Sequence, residues 1–164
     1  MNELALTPLV LSHVVITLIA IGSGLYVLQS LLRGRLPAHS NQVFLLFTFL
    51  TSATGFLIQP EAPPPTPAQI TGVIALIALA LALYAFYGRR MHGAWRAVYL
   101  VTAIIGLYLN VFVLVVQAFT KVDGLAAIAG NPPGGPVFGA VQGLVLIGFI
   151  AAGWLAVKRF HPAV

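Results

Sequence analysis

The residues that could do chemistry in this chain are one histidine and a set of neutral hydroxyl and amide side chains within long apolar stretches. An imidazole can transfer a proton or bind haem iron, whereas hydroxyls and primary amides hydrogen-bond neutral groups. The candidate ligand-binding residues are His13, Thr17, Ser52, Gln59, Asn110, Gln117 and Gln142. We predict that they line one polar pocket for a small neutral or amphipathic molecule, such as a quinone, a sterol-like lipid or the edge of a haem.

Helical periodicity is the basis of this prediction. Asn110 and Gln117 are seven residues apart, which is close to two helical turns, so their primary amides face the same side of a helix. This pair is the strongest constellation in the chain. The alternative interpretation is that the polar residues only join helices to one another, at roughly 0.6 to 2 kcal/mol per contact.

His13 is the only histidine inside an apolar stretch. A buried, hydrogen-bonded structural role is the preferred interpretation, and an axial haem ligand or a proton relay is the alternative. His39 and His92 fall beside basic residues, where a solvated position is expected. The alternative is that they pair as metal or haem ligands across two links. No metal site is predicted. The preferred interpretation is that the chain binds no cofactor, and a bound haem or quinone is the alternative.

The residue types missing from the apolar stretches narrow the function further. Apart from Arg96, the first residue of the stretch 96–119, these stretches contain no Asp, Glu, Lys or Arg, which argues against a proton-coupled transporter, an ion pump or a hydrolase with paired carboxylates. The chain has no cysteine, so thiol catalysis and iron–sulfur clusters are excluded. No phosphate-binding loop or hydrolase motif is present either. These features favour a non-catalytic role, and whether the chain is an enzyme stays open.

The elements that must position the polar residues follow from composition. The 164 residues are 60% hydrophobic and 7% charged, whereas soluble domains are roughly a quarter charged. Lipid must therefore be the solvent for most of the chain. A helix needs about 20 apolar residues to cross a bilayer, and five stretches qualify: residues 8–31, 42–59, 69–88, 96–119 and 136–157. We predict an all-α, five-helix membrane bundle that forms a single domain over residues 1–164.

The basic residues predict the orientation of this bundle. With five spans, seven of the eight Lys and Arg residues fall on one side, and the other side holds Lys121 and all three acidic residues. Because basic residues favour the cytoplasmic side, we place the N-terminus outside and the C-terminus in the cytoplasm. The net charge of +5 is then a determinant of topology, and no nucleic-acid partner is expected.

Small residues at helical spacing predict close helix packing. Ala20 and Gly24 form one pair, and Gly135, Gly139 and Gly143 form a ladder at the start of the last span. Such spacings let two backbones approach closely. The ladder is expected to serve packing within the bundle, with homodimerisation as the alternative.

Three segments carry a resemblance to a known group of proteins. They are Gly93–Tyr99, Tyr108–Phe119 and Thr51–Phe56, and they resemble segments of small uncharacterised bacterial inner-membrane proteins. The resemblance implies a location in the bacterial inner membrane and brings no assigned activity. The first two spans also resemble cytochrome b561-like membrane proteins, in which histidines on neighbouring helices hold haem. His13 has no such partner at its depth.

Three functions are consistent with these features. The first is a non-catalytic accessory or assembly component of a larger membrane complex, which the sequence favours. The second is a binder or carrier of a small hydrophobic or amphipathic molecule in the polar pocket. The third is a redox protein that binds haem or quinone through His13. The expected partners are the lipid bilayer and either a larger membrane protein or a second copy of the chain.

Overall fold

A computed structural model describes residues 7–58, 66–130 and 132–161, and it contains only helices and their connections over these residues. The helices are α1 (Pro8–Leu32), α2 (Ala38–Ile58), α3 (Pro67–Leu83), α4 (Trp95–Lys121), α5 (Asp123–Ala129) and α6 (Gly135–Arg159). A π-helical turn, Tyr84–Gly88, extends α3. With this extension, five helices are long and apolar enough to cross a membrane. The five predicted helices are therefore confirmed, and their largest boundary difference is that α2 starts at Ala38.

Threonine and proline begin two of the long helices. The Thr7 hydroxyl accepts a hydrogen bond from the Val10 backbone amide, and proline follows as the first helical residue. Thr66 and Gln69 form a reciprocal capping box before α3. Both arrangements satisfy amide groups that the first helical turn leaves without partners.

Arginine side chains cap the ends of two helices. The Arg96 Nη1 donates to the carbonyl oxygens of Val157, at 2.7 Å, and Phe160, at the end of α6. The Arg159 Nη1 donates to the carbonyl oxygen of Leu32, the last residue of α1, at 3.2 Å. Carbonyls in the last helical turn have no intrahelical partner. The two guanidinium groups therefore tie α4, α6 and α1 together at one end of the bundle.

Two connections contain structure that hydropathy does not predict. The link between α4 and α6 contains the short helix α5, which starts at Asp123. In the link before α4, Arg90 and Met91 both adopt positive φ angles, of 47° and 56°. Such angles are uncommon for residues other than glycine.

The apolar core occupies one half of the bundle. α4 packs against α1, α2, α3 and α6, and the buried cluster is drawn from the last turns of α1, α3 and α6 and the first turns of α2 and α4. Its largest buried members include Leu31, Phe44, Leu45, Tyr99, Leu100 and Leu107. We call this the arginine half, because Arg33, Arg35, Arg89, Arg90, Arg96 and Arg159 lie at its end. The opposite half, which contains His13 and Asn110, is called the cavity half.

Large apolar side chains cover the outside of the bundle. Leu144, Ile147 and Ile150 of α6 are 62–71% exposed, and every other long helix also exposes leucine, isoleucine or valine. Soluble monomers rarely present contiguous apolar surface of this extent. The surface therefore fits a multi-pass membrane protein whose apolar exterior faces lipid.

Candidate functional site

A cavity of about 90 Å³ lies between α1, α2, α3 and α4 in the cavity half. At about 30 Å³ per water, this is the space of roughly three water molecules. The polar residues that line it are His13, Thr17, Thr51, Ser52, Gln69, Thr71 and Asn110. The apolar part of the wall includes Phe56, Leu109 and Val113. None of the described lining residues carries a permanent charge, so the cavity suits a neutral group.

Helical spacing explains how α1 and α2 supply their side chains. His13 and Thr17 are four residues apart on α1, and Thr51, Ser52 and Gly55 share one face of α2. Residues three or four apart lie on the same side of a helix. Gly55 keeps the cavity open beside the histidine, because a Cβ at this position would lie 3.5 Å from His13 Cε1.

His13 is held by a threonine of the neighbouring helix. Its Nδ1 lies 2.8 Å from the Thr54 hydroxyl oxygen. That oxygen also lies 2.7 Å from the Leu50 carbonyl oxygen and 3.3 Å from that of Thr51. The histidine is therefore fixed through one ring nitrogen, and its half-buried ring forms part of the cavity wall.

Two hydroxyl groups on the cavity wall have no partner among the residues that the structure describes. The Thr51 hydroxyl is buried and makes no hydrogen bond there, although threonines in helices commonly bond the carbonyl one turn back. Ser52 is 6% exposed and also makes no hydrogen bond with the described residues. A buried hydroxyl without a partner is costly. The Thr51 oxygen is fully enclosed, so the Ser52 hydroxyl is the one of the two that an occupant of the cavity can reach.

Asn110 of α4 forms part of the cavity wall. Its Nδ2 donates to the Thr48 hydroxyl at 3.4 Å, a long hydrogen bond between α4 and α2. Both residues are buried. The contact joins the two helices at the boundary between the apolar core and the cavity.

The cavity brings together four of the predicted site residues: His13, Thr17, Ser52 and Asn110. Gln117 was expected to line the same pocket, but its side chain is exposed on the surface of α4. Gln142 is buried on α6, where its Nε2 donates to the Phe112 carbonyl oxygen at 3.1 Å, and it does not line the cavity. Gln59 lies outside the described residues.

Sequence analysis missed several residues of the site. Gln69 and Thr71 were not selected, although their position at the start of the third span, level with His13, was a usable signal. Thr54 was missed because its role depends on the α1–α2 contact, which periodicity within one helix cannot predict.

The predicted packing residues divide into two groups. Ala20 is fully buried, and a Cβ on Gly24 would lie 2.5 Å from Leu107 Cδ1 and 2.8 Å from the Phe44 ring, so this pair lies in a close helix contact. The second group is the glycine ladder of α6, which was expected to pack against other helices of the bundle. The structure shows open space there instead, because an added Cβ on Gly135, Gly139 or Gly143 meets no atom within 4 Å.

The other polar features do not form a metal centre. No group of three or more His, Cys, Asp or Glu side chains that could hold a metal ion occurs among the described residues. Of the four histidines, only His13 lines the cavity. A haem bound between two histidines of this chain therefore has no second ligand at that depth.

Comparison of the chain with protein-family models, with curated proteins and with solved structures finds no match. The resemblance to small bacterial inner-membrane proteins therefore stays a prediction. Inferences about function rest on the cavity and its wall.

Proposed function

We propose that this protein binds a small, neutral, amphipathic molecule in the cavity between α1, α2, α3 and α4. The single observation that carries the proposal is a cavity whose wall combines His13, Ser52 and Asn110 with apolar side chains. Ligand sites combine apolar walls with a few placed polar groups, and this wall has that composition.

The distribution of polarity supports a binding role over a purely structural one. If the polar residues served only to join helices, each would be expected to bond across a helix contact. Asn110 does so with Thr48, and Gln142 does so with Phe112. Thr51 and Ser52 do not, within the described residues, so neither hydroxyl joins two helices.

The proposed location is the bacterial inner membrane, with the N-terminus outside and the C-terminus in the cytoplasm. Seven of the eight Lys and Arg residues lie at the end of the arginine half or beside it, which supports this orientation. The cavity would then lie in the outer half of the membrane. Molecules that partition into that leaflet are the proposed ligands.

Native mass spectrometry of gently extracted protein tests the proposal. We expect the wild-type chain to retain a small neutral amphiphile, and we expect Gly55→Leu to lose it, because the new side chain fills the cavity. Gly22→Leu is the matched control, since Gly22 is exposed on α1 with no atom within 4 Å of an added Cβ. A bare wild-type chain, or a molecule retained equally by Gly55→Leu, would contradict the proposal.

A second candidate function is that of an accessory component of a membrane complex. The observation that favours it is the position of α6, whose Gly139 and Gly143 leave an open strip that no described residue covers. A helix of a partner or of a second copy could pack there at close range. Copurification of a stoichiometric larger protein in mild detergent would support this role, and repeated isolation of the chain alone would oppose it.

A further inference from the structure

The hydrogen bonds of Thr54 determine which nitrogen of His13 carries a proton. The Thr54 hydroxyl has a single hydrogen, and its oxygen lies 2.7 Å from the Leu50 carbonyl oxygen. Two oxygens at that distance repel each other unless a hydrogen lies between them, so the hydroxyl donates to Leu50. The contact of 2.8 Å with His13 Nδ1 must then use a hydrogen on the nitrogen. His13 therefore donates through Nδ1.

This arrangement leaves His13 Nε2 as a hydrogen-bond acceptor. A neutral imidazole protonated at Nδ1 carries a lone pair on Nε2. None of the residues that the structure describes hydrogen-bonds Nε2. Because the ring lines the cavity, an occupant with a suitable donor can use this lone pair.

The Ser52 hydroxyl supplies a complementary group. It can donate its hydrogen to an oxygen in the cavity, since Ser52 lines the cavity and makes no hydrogen bond to the described residues. An alcohol or phenol oxygen can donate to His13, whereas an ether or ketone oxygen can only accept. The wall thus matches a hydroxyl group better than the other common neutral oxygen groups.

We infer that the molecule bound in the cavity is a neutral amphiphile whose hydroxyl group donates a hydrogen bond to His13 Nε2. This inference rests on the proposed function and adds the chemical class of the ligand. The volume of about 90 Å³ is suited to a single ring or a head group of similar size. Phe56 and Val113 provide apolar contact for such a ring.

Two probes that differ in one group test the inference. Para-hexylphenol and para-hexylanisole share a ring and an alkyl chain, but the anisole has a methyl ether in place of the hydroxyl. We expect the phenol to bind wild-type protein in nanodiscs roughly three- to tenfold more tightly than the anisole, as one hydrogen bond would give. Ligand-observed NMR measures both dissociation constants, with empty nanodiscs as the correction for partition into lipid.

Thr54→Val tests the origin of this preference. The variant removes the acceptor for His13 Nδ1, so we expect the two probes to bind equally while the anisole affinity is retained. Retained anisole binding also reports that the variant is folded. Thr102→Val is the matched control, because the Thr102 hydroxyl makes the same pair of backbone contacts, at 2.7 and 3.3 Å, away from the cavity. It should keep the wild-type preference.

The nitrogen NMR spectrum of the labelled imidazole gives an independent readout. We expect the His13 Nε2 resonance, assigned by its loss in His13→Gln, to be that of an unprotonated nitrogen and to move only with the phenol. A protonated Nε2 would overturn the inference.

The two probes and the Gly55→Leu variant distinguish a failure of this inference from a failure of the proposed binding function. If both probes bind the wild type equally and Gly55→Leu loses both, the inference is overturned and the binding function stands. If neither probe binds the wild type better than Gly55→Leu, the binding function and the inference are both overturned.

Discussion

Tyr99 of α4 donates a hydrogen bond from its hydroxyl to Asn41 Oδ1 of α2 at 2.5 Å, and both side chains are completely buried. This polar pair lies within the apolar core of the arginine half. The Asn41 Nδ2 has no partner among the described residues. Because an unsatisfied buried group is costly, the Tyr99 hydrogen bond is the contact that makes the asparagine tolerable there.

Removal of either partner of this pair should destabilise the fold. We expect Tyr99→Phe and Asn41→Leu each to lower the free energy of unfolding by about 1–3 kcal/mol, since each leaves a buried polar group without its partner. The double variant should recover about 0.6–2 kcal/mol of the summed loss. Denaturation by sodium dodecyl sulfate in mixed micelles measures all four proteins. Strictly additive losses would show that the hydrogen bond contributes nothing.

Gly24 should not tolerate even a methyl group. Its added Cβ would lie within 3 Å of Leu107 and Phe44, which are both buried in the core. Overpacking of this kind costs about 1–3 kcal/mol, so Gly24→Ala should unfold at a lower denaturant concentration than wild type. Gly22→Ala, two residues away on the open side of α1, should be neutral or stabilising. Equal stabilities for the two variants would contradict the close contact.

The Arg96 guanidinium should protect the end of α6. We expect Arg96→Ala to speed amide hydrogen exchange near Val157 and Phe160 roughly tenfold, which corresponds to about 1.4 kcal/mol for a hydrogen bond from a charged group. Exchange followed by mass spectrometry provides the measurement. Arg90→Ala is the control, because Arg90 is exposed and its side chain makes no hydrogen bond with the described residues. Unchanged exchange in Arg96→Ala would contradict the capping role.

The open strip on α6 predicts a face-specific effect on association. If a second copy packs against Gly139, then Gly139→Leu should lower the yield of crosslinked dimer several-fold, because leucine blocks close backbone approach. Gly148 lies nine residues further along α6, half a turn away around the helix, and also has open space around it. Gly148→Leu should leave the yield unchanged. Equal yields from wild type and Gly139→Leu would rule out this interface.

The proposed orientation can be tested by labelling single cysteines, because the chain has none of its own. A membrane-impermeant maleimide added to intact cells should label Gly124→Cys and should label His92→Cys only after permeabilisation. Both positions are exposed and lie in connections between the long helices. The reverse pattern would overturn the proposed topology.

The amino-acid sequence alone was sufficient to predict the five long helices and part of the cavity. The number and approximate bounds of the helices follow from hydropathy and length, since a backbone in lipid must satisfy its hydrogen bonds within each helix. His13, Thr17, Ser52 and Asn110, four of the candidate residues, line one cavity. Helical periodicity determines which side chains share a face, and it needs no knowledge of the neighbours.

The tertiary structure decided which helix faces pack together and which residues of neighbouring helices lie at the same level along the bundle. Asn110 and Gln117 share a side of α4, but only Asn110 lies where α2 covers it, whereas Gln117 is exposed. The Thr54 contact that orients His13 and the isolation of the Thr51 hydroxyl arise from the rotation of α1 and α2 about their axes. Periodicity within one helix leaves this rotation undetermined, because only packing against neighbouring helices sets it.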